Sequence, residues 1–191
     1  MLILVPKITN RLLYIFELLL KEELGIDFKL TAEVDEFLSY QGMKLHYDTT
    51  PLNEEPALFQ QAAKLLFERD IYDQDIKVCS FNDTNAIYPV FNDNSLFPFD
   101  IFAASFYIIS RYEEYLPHVS DQYNRFQPQD SILYKMNTIE KPIVNIWAIE
   151  LGKVIKARYP EVQLKKKTFK FVPTYDIDAA WAYKNKGVFR T

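Results

Sequence analysis

The first part of the chain switches between strand-like and helix-like hydrophobic patterns. MLILVP is continuously apolar up to Pro6, as in a short buried strand. Apolar residues then recur every three or four positions behind Thr9 or Asn10, either of which can cap a helix, and Gly25 is a natural stop. This pattern predicts a helix over residues 10–24. IDFKLTAEV and GMKLHYDTT alternate apolar and polar residues, which predicts two further strands. A β-α-β opening favours parallel pairing of its strands.

Later patterns predict three more helices and a hairpin. EPALFQQAAKLLFERDI has helical composition, and DIKVCSF and AIYPVF flank the turn NDTN as a hairpin whose second strand is an edge because of Pro89. FDIFAASFYIISRYEEYLP, with Asp100 as its N-cap, predicts a helix over residues 100–115. A last helix is predicted over residues 142–158. Together these elements predict an α/β fold in which a mixed sheet is flanked by helices.

Composition limits the class of protein. The chain has 191 residues, of which 49% are hydrophobic and 25% charged, values that fit one globular domain or one domain plus a fragment. Cys79 is the only cysteine, so an intramolecular disulfide is impossible and a cysteine-based zinc site is not expected. We interpret Cys79 as a small core residue. We interpret His46, which has no second His or Cys nearby, as a strand-surface residue rather than a ligand.

Charge and hydropathy favour no nucleic-acid or membrane partner. The formal net charge is −4, and the only basic run, Lys165 to Lys167, is short. No apolar stretch is long enough to cross a bilayer, and the N-terminus lacks the pattern of a secretory signal. We therefore expect a soluble, cytoplasmic protein. The four glycines form no phosphate-binding motif.

Two carboxylates follow an apolar run near the last residues of the sequence. FKFVPTYDIDAAW reads as a strand that delivers Asp176 and Asp178 at its carboxyl end, where active sites lie in α/β barrels and open sheets. In extended backbone the two side chains point to the same side, and such a pair suits a divalent cation, or one metal ligand and one proton acceptor. Equally, Asp178 can cap a following helix while Asp176 is a solvated strand end.

A second stretch, SRYEEYLPHVSDQYNRF, combines charged residues with four aromatic ones. Its charged or titratable residues are Arg111, Glu113, Glu114, His118, Asp121 and Arg125. Aromatic faces suit sugar rings and carboxylates bind hydroxyl groups, so one interpretation is a surface for a carbohydrate or a peptide. The other is a helix end whose ion pairs fix the following loop, and we favour this structural interpretation.

Four stretches together resemble a known family. TYDIDAAWAYKNKGVFRT, FDIFAASFYIISRYEEYLPH, DQYNRF and KPIVNIWAIEL are similar to the N-terminal region of polysaccharide-deacetylase-like proteins found chiefly in Bacteroidetes. In that family an α/β domain of uncharacterised role precedes a NodB-type carbohydrate esterase domain. The resemblance spans almost the entire chain. With the charged connector RYPEVQLKKK as boundary, it implies an accessory domain over residues 1–166 and, over residues 167–191, the first strand of an incomplete NodB-type barrel.

The resemblance also implies roles for the two aspartates. The family's first catalytic motif resembles T-F-D-D, in which the first Asp is the general base and the second a metal ligand. Asp176 would then be the base and Asp178 the ligand. Ile177 separates them in this sequence, so the two roles could be reversed. The family completes its site with a His-x-x-x-His pair, an Arg and a further His, and we expect these beyond residue 191.

The function implied by the resemblance is divided between this chain and a longer parent. The parent would be a hydrolase that depends on a divalent metal, usually Zn²⁺, and removes N- or O-acetyl groups from carbohydrate, with the rest of its deacetylase domain as the partner of this chain in cis. Residues 1–166 would be its non-catalytic accessory domain. We expect the 191-residue chain alone to hold no catalytic metal and to be inactive. The alternative is a self-sufficient interaction or carbohydrate-binding module without catalysis.

Overall fold

A parallel four-stranded sheet with helices on both faces organises the chain. The computed structural model describes residues 1–52 and 58–177. The strands and helices are β1 (Leu2–Leu4), α1 (Asn10–Phe16), β2 (Lys29–Thr31), α2 (Val34–Ser39), β3 (Lys44–Asp48), β4 (Phe59–Gln61), β5 (Val78–Phe81), β6 (Thr84–Ile87), α3 (Ile101–Ile109), α4 (Ile132–Lys135) and α5 (Ile143–Arg158). The sheet has the order β2-β1-β3-β4, and all its pairings are parallel. The fold is α/β, as predicted, but among the described strands the antiparallel pair is the separate β5-β6 hairpin, outside the four-stranded sheet.

The sheet buries its two faces against helix layers of unequal size. Ile3 and Leu45 point to the larger face and join the main core with α1, α3 and α5. Leu2 and Leu4 point to the other face, where Phe37 of α2 covers them. Because side chains alternate along a strand, the register that places Ile3 opposite Leu45 keeps the two apolar sets on opposite faces.

The first predicted helix is confirmed, and its winding changes halfway. Thr9 caps it, because its hydroxyl oxygen accepts a hydrogen bond from Leu12 N at 3.2 Å while the hydroxyl donates to Leu66 O at 2.6 Å. After α1 the chain continues as a π-helical segment, Glu17–Glu23. Gly25 then turns the chain toward β2 with φ at 74°, a left-handed conformation that favours glycine.

The helix predicted over residues 55–71 is wrong for the part of this segment that the structure describes. β4 and a single 3-10 turn take its place. The helical bond from Ala63 N to Phe59 O does not form, because both groups have other partners. Ala63 N donates to Asp100 Oδ2 at 2.6 Å, and Phe59 O accepts from Leu96 N at 2.8 Å. Pairing of β4 with β3 therefore outweighs helical composition.

The predicted hairpin is confirmed as β5 and β6, joined at Asn82, which has a left-handed φ of 49°. Its second strand begins and ends earlier than predicted, and Pro89 instead forms an isolated bridge with Phe99.

Cys79 is half-buried at the edge of the core, with Sγ 3.7 Å from Ala86 O. Burial raises the pKa of its thiol, which agrees with an unreactive core residue.

The helices predicted to start at residues 100 and 142 are confirmed as α3 and α5. α3 is shorter than predicted, because Arg111 adopts a left-handed φ of 52° and the 3-10 turn Tyr112–Tyr115 follows. The predicted strand IDFKLTAEV is reduced to β2, because Val34 begins α2. Within the described ranges, none of the helices combines the length and apolar character that crossing a bilayer requires.

Asp100 is a fully buried carboxylate that joins the sheet to α3. Its Oδ1 caps α3 by accepting from Phe102 N and Ala103 N, each at 3.0 Å. Its Oδ2 accepts from Tyr47 Oη on β3 at 2.7 Å and from Ala63 N after β4 at 2.6 Å. Burial raises the pKa of Asp100 to about 6, although the four donors favour the ionised form. One side chain therefore connects two strands and a helix.

The described residues beyond α5 return to the main domain once and then leave it. Lys165 N donates to Leu24 O at 2.8 Å, and Leu164 packs against the core beside Gly152. Residues 168–177 contain no strand, although the sequence predicts one from Phe169. A β-strand needs a neighbouring backbone to hydrogen-bond with, and no described strand lies beside this segment.

Replacement of Asp100 by Asn should lower stability and change its pH dependence. The Asn amide has one acceptor oxygen, so it cannot cap α3 and also accept hydrogen bonds from Ala63 N and Tyr47 Oη. This loss should lower the free energy of unfolding by about 1–3 kcal/mol. In the native protein the folded state keeps a proton on Asp100 between the ordinary pKa near 3.8 and about 6, so the contribution of Asp100 to the free energy of unfolding falls as pH rises through that window. Urea unfolding of the native protein and of Asp100→Asn between pH 3.5 and 7 should show this fall as a shrinking stability advantage of the native protein.

The control for this experiment is Asp93→Asn, an exposed loop substitution that should keep the native pH profile. An unchanged profile in Asp100→Asn would show that Asp100 does not titrate in this window.

Truncation should locate the end of the stable domain. A chain ending at Lys167 should keep its Tm within about 2 °C, because residues 168–177, the described part of the removed segment, are exposed. A chain ending at Pro160 loses the packing of Val162 and Leu164, worth about 2 kcal/mol, and its Tm should fall by about 4–8 °C. Thermal unfolding followed by circular dichroism measures both. An equal Tm for the two truncations would place the boundary before Val162.

Candidate functional site

The charged and aromatic stretch after α3 folds as a long loop whose start is anchored in the core. Arg111 turns the chain out of α3, and Tyr112 is buried beside it. The Tyr112 hydroxyl accepts from Tyr72 N at 2.9 Å and donates to Tyr72 O at 3.1 Å. The loop is therefore held against the segment near Tyr72 at its first residues.

Glu113 closes the loop by binding its far end. One carboxylate oxygen accepts from Ser131 Oγ at 2.7 Å, and the other accepts from Ile132 N at 2.8 Å, at the start of α4. These bonds satisfy backbone and hydroxyl groups that would otherwise lack a partner. Glu113 thus holds the segment between Arg111 and Ser131 as one closed loop.

Asp121 and Arg125 fix the tip of the loop. Asp121 Oδ1 accepts from Tyr123 N at 2.8 Å and from Arg125 N at 2.9 Å, and Oδ2 pairs with Arg125 Nη2 at 2.9 Å. The backbone N–H of Arg125, with smaller effects of Tyr123 N–H and the guanidinium, holds the pKa of Asp121 below its usual value. The Arg125 guanidinium also lies 4.6 Å from the centre of the Tyr123 ring.

The other predicted residues of this stretch also make contacts within the loop. Arg111 forms an ion pair with Glu114. His118 places Nδ1 2.9 Å from Leu116 O, and its ring meets the Phe126 ring edge-on with centroids 5.1 Å apart. The structure therefore brings all six predicted residues into one loop, and their contacts stabilise the shape of that loop.

A solvent-open cleft of about 520 Å³, which we call the loop cleft, lies where this loop meets α3 and α4. The polar and aromatic residues that line it include Asp73, Tyr107, Glu113, His118, Phe126, Asp130 and Lys135. Its volume is within the range of sites that hold small molecules, about 300–1,000 Å³. Of the six residues predicted from the sequence, Glu113 and His118 line the loop cleft.

Tyr107 is the most buried polar side chain among these residues. It is only 4% exposed, and its ring packs between Tyr88 and Tyr112. Its hydroxyl has no hydrogen-bond partner among the described residues. Burial raises the pKa of Tyr107, and the negative charges of Glu113 and Asp73 raise it further.

The predicted metal-binding pair is only partly described. Asp176 is exposed and lies in a segment without regular secondary structure, and Asp178 lies outside the described residues. Residues 1–52 and 58–177 contain no group of three His, Cys, Asp or Glu side chains arranged to hold a metal ion. A catalytic zinc needs three protein ligands, so the described residues do not fit a zinc site and no catalytic step follows from them.

His46 is buried, so its interpretation as a strand-surface residue is wrong. It is 2% exposed, and its ring lies between those of Phe37 and Phe59. Nε2 is 3.8 Å from Asp48 Oδ2, and Nδ1 has no partner among the described residues. Burial lowers the pKa of His46, while Asp48 partly opposes this effect. The strand prediction was sound, but α2, which no pattern predicted, covers this face of the sheet.

A family comparison covers most of the chain. Residues 1–160 match the sequence model of a family of unknown function, DUF7033. The chain belongs to this family. Neither the curated proteins nor the solved structures include a significant match. The DUF7033 match includes every described strand and helix, so the loop cleft lies within it, whereas Asp176 lies beyond it.

Sequence reasoning missed most of the cleft within the DUF7033 region. Asp73, Tyr107 and Asp130 belong to three segments that are distant in the sequence, and none is part of a recognisable motif. Tyr107 reads as one more aromatic residue of a helical core face. The available signal was the density of aromatic and charged residues after α3, and it locates only the loop side of the cleft.

Alanine substitutions should rank the contacts that hold the loop tip. Asp121→Ala removes the acceptor of two backbone N–H groups and should destabilise the loop tip more than Arg125→Ala does. Arg125→Ala removes one exposed ion pair and should cost less than about 0.5 kcal/mol. Hydrogen exchange at Tyr123 N and Arg125 N measures the difference locally. If both variants lose the same protection at these amides relative to the native chain, the ion pair, rather than the backbone contacts, fixes the loop tip.

Proposed function

We propose that residues 1–166 form a non-catalytic accessory domain and that residues 167–191 begin a NodB-type, deacetylase-like domain. The full-length parent is then a metal-dependent enzyme that removes N- or O-acetyl groups from carbohydrate. Support comes from the resemblance of the four sequence stretches to polysaccharide-deacetylase-like proteins. The DUF7033 match assigns no function and is compatible with an accessory role.

The exposed apolar segment after the main domain carries this proposal. Its apolar side chains are 66–93% exposed, and they are Phe169, Phe171, Val172, Tyr175 and Ile177. A contiguous set of large exposed apolar side chains marks an interaction surface. The pattern of this segment is that of a buried strand, so strands of a following domain would cover it. Asp176, which stands within this segment, is then delivered to the mouth of that domain.

The chemistry of residues 1–166 supports a role without catalysis. Asp100 is fully buried and bonded to four donors, Glu113 caps α4, and Asp121 holds the loop tip. These carboxylates are occupied by structural partners.

The second candidate function is a carbohydrate-binding module that acts without catalysis. The loop cleft favours it, because the cleft combines aromatic walls with carboxylates, the side chains that recognise sugar rings and hydroxyl groups. The two functions are compatible, since an accessory domain that binds glycan would hold a catalytic domain close to its substrate.

Acetate release tests the proposed function. The 191-residue chain should release no acetate from N-acetylated chitooligosaccharide or acetylated xylan, with or without added zinc. The full-length natural protein should release acetate, a chelator should stop the release, and zinc should restore it. Replacement of Asp176 by Asn in that protein should lower kcat by at least about 100-fold if Asp176 is the general base.

The matched control is Asp93→Asn in the same full-length protein, which should keep the native rate. Acetate release by the 191-residue chain would contradict the accessory role. Failure of the full-length protein on every acetylated carbohydrate, or full activity of Asp176→Asn, would contradict the assignment of residues 167–191.

A further inference from the structure

We propose that the loop cleft binds a sugar that carries a free amino group, the kind of product that N-deacetylation of a glycan leaves. The choice of this sugar rests on the proposed function. The location of the site and its preference for a cation rest on the described residues of the cleft.

The charge of the loop cleft is predominantly negative. Three carboxylates line it, Asp73, Glu113 and Asp130, and Lys135 is the only lysine or arginine among its lining residues. Carboxylates gathered along one cleft attract a positively charged ligand and repel an acidic one. The cleft therefore selects for a cation over an anionic sugar.

Two of the three carboxylates are free to bind a ligand. Glu113 uses both oxygens on Ser131 and Ile132. Asp73 accepts one hydrogen bond, from the adjacent Gln74 N at 3.0 Å, and this leaves its second oxygen open. The Asp130 carboxylate has no hydrogen-bond or ion-pair partner among the described residues. An ammonium group of a ligand would supply the donors that these oxygens lack.

Tyr107 provides an independent sign that the cleft receives a polar ligand. Its side chain is 4% exposed and its hydroxyl has no protein partner in the described ranges. The hydroxyl oxygen itself is not enclosed by the described residues, so it opens to the cleft, where water or a ligand can satisfy it. Tyr107 lines the same cleft as Asp73 and Glu113, where its hydroxyl can bond a sugar hydroxyl or ring oxygen.

The aromatic side chains supply a wall for the sugar ring. Phe126 lines the cleft, and His118 packs edge-on against it with ring centroids 5.1 Å apart. The apolar face of a pyranose ring packs on such a surface, while the carboxylates bind its polar rim. A ligand that combines a flat apolar face with a primary amine matches both features of the cleft, whereas a simple polyamine matches only the charge.

Binding measurements with the 191-residue chain test this proposal. Isothermal titration should show a glucosamine tetramer binding at least tenfold more tightly than an N-acetylglucosamine tetramer or cellotetraose. The double variant Asp73→Asn with Asp130→Asn should weaken binding of the glucosamine tetramer at least tenfold. Tyr107→Phe removes only the hydroxyl and should weaken binding about threefold to tenfold while its Tm stays unchanged. Asp93→Asn, outside the cleft, is the matched control and should bind like the native chain.

Each other outcome contradicts the proposal. If the acetylated tetramer binds as tightly as the glucosamine tetramer, the cleft does not recognise the amine. If spermine binds as tightly as the glucosamine tetramer, the cleft recognises charge alone. Absence of binding, or native affinity in the double aspartate variant, would exclude the cleft as the site. The acetate assay of the full-length protein on short soluble substrates depends on Asp176 rather than on Asp73 or Asp130, so the two proposals fail separately.

Discussion

A single buried carboxylate determines how the helix layer sits on the sheet. Asp100 binds Tyr47 of β3, the backbone after β4, and the first N–H groups of α3 at the same time. Burial alone would disfavour its charge, and the four donors are what make the position tolerable. Because Asp100 caps α3, which carries Tyr107 in its last turn, this contact also fixes where the loop cleft can form.

The loop that borders the cleft is stabilised mainly by polar contacts, not by an apolar core of its own. Glu113 joins its two ends, and Asp121 orders its tip through backbone N–H groups. In these contacts the carboxylates of Glu113 and Asp121 are hydrogen-bonded to groups of the loop. Asp73 and Asp130 have no such set of partners among the described residues, so their negative charge faces the cleft. Carboxylates with several protein donors and carboxylates with few thus lie within one small region of the described structure.

Prediction from the sequence succeeded where local signals were sufficient. The caps Thr9 and Asp100 and the periodicity of α1, α3 and α5 define those helices, because capping and helical periodicity depend on neighbouring residues. It failed for β4, whose residues have helical composition but exchange their helical bonds for contacts with distant groups. For the site, the sequence located the loop and missed Tyr107, Asp73 and Asp130, which only folding brings together.

The sequence by itself determined the α/β class, the main helices, the hairpin and the loop rich in charged and aromatic residues. Tertiary structure alone decided that the central sheet is wholly parallel, that His46 is buried beneath α2, and that a negatively charged cleft forms between three distant segments. It also decided that the apolar run before Asp176 remains exposed, because a strand exists only where another backbone meets its N–H and C=O groups. Local patterns encode propensity, whereas pairing, burial and cleft formation depend on contacts between residues far apart in the chain.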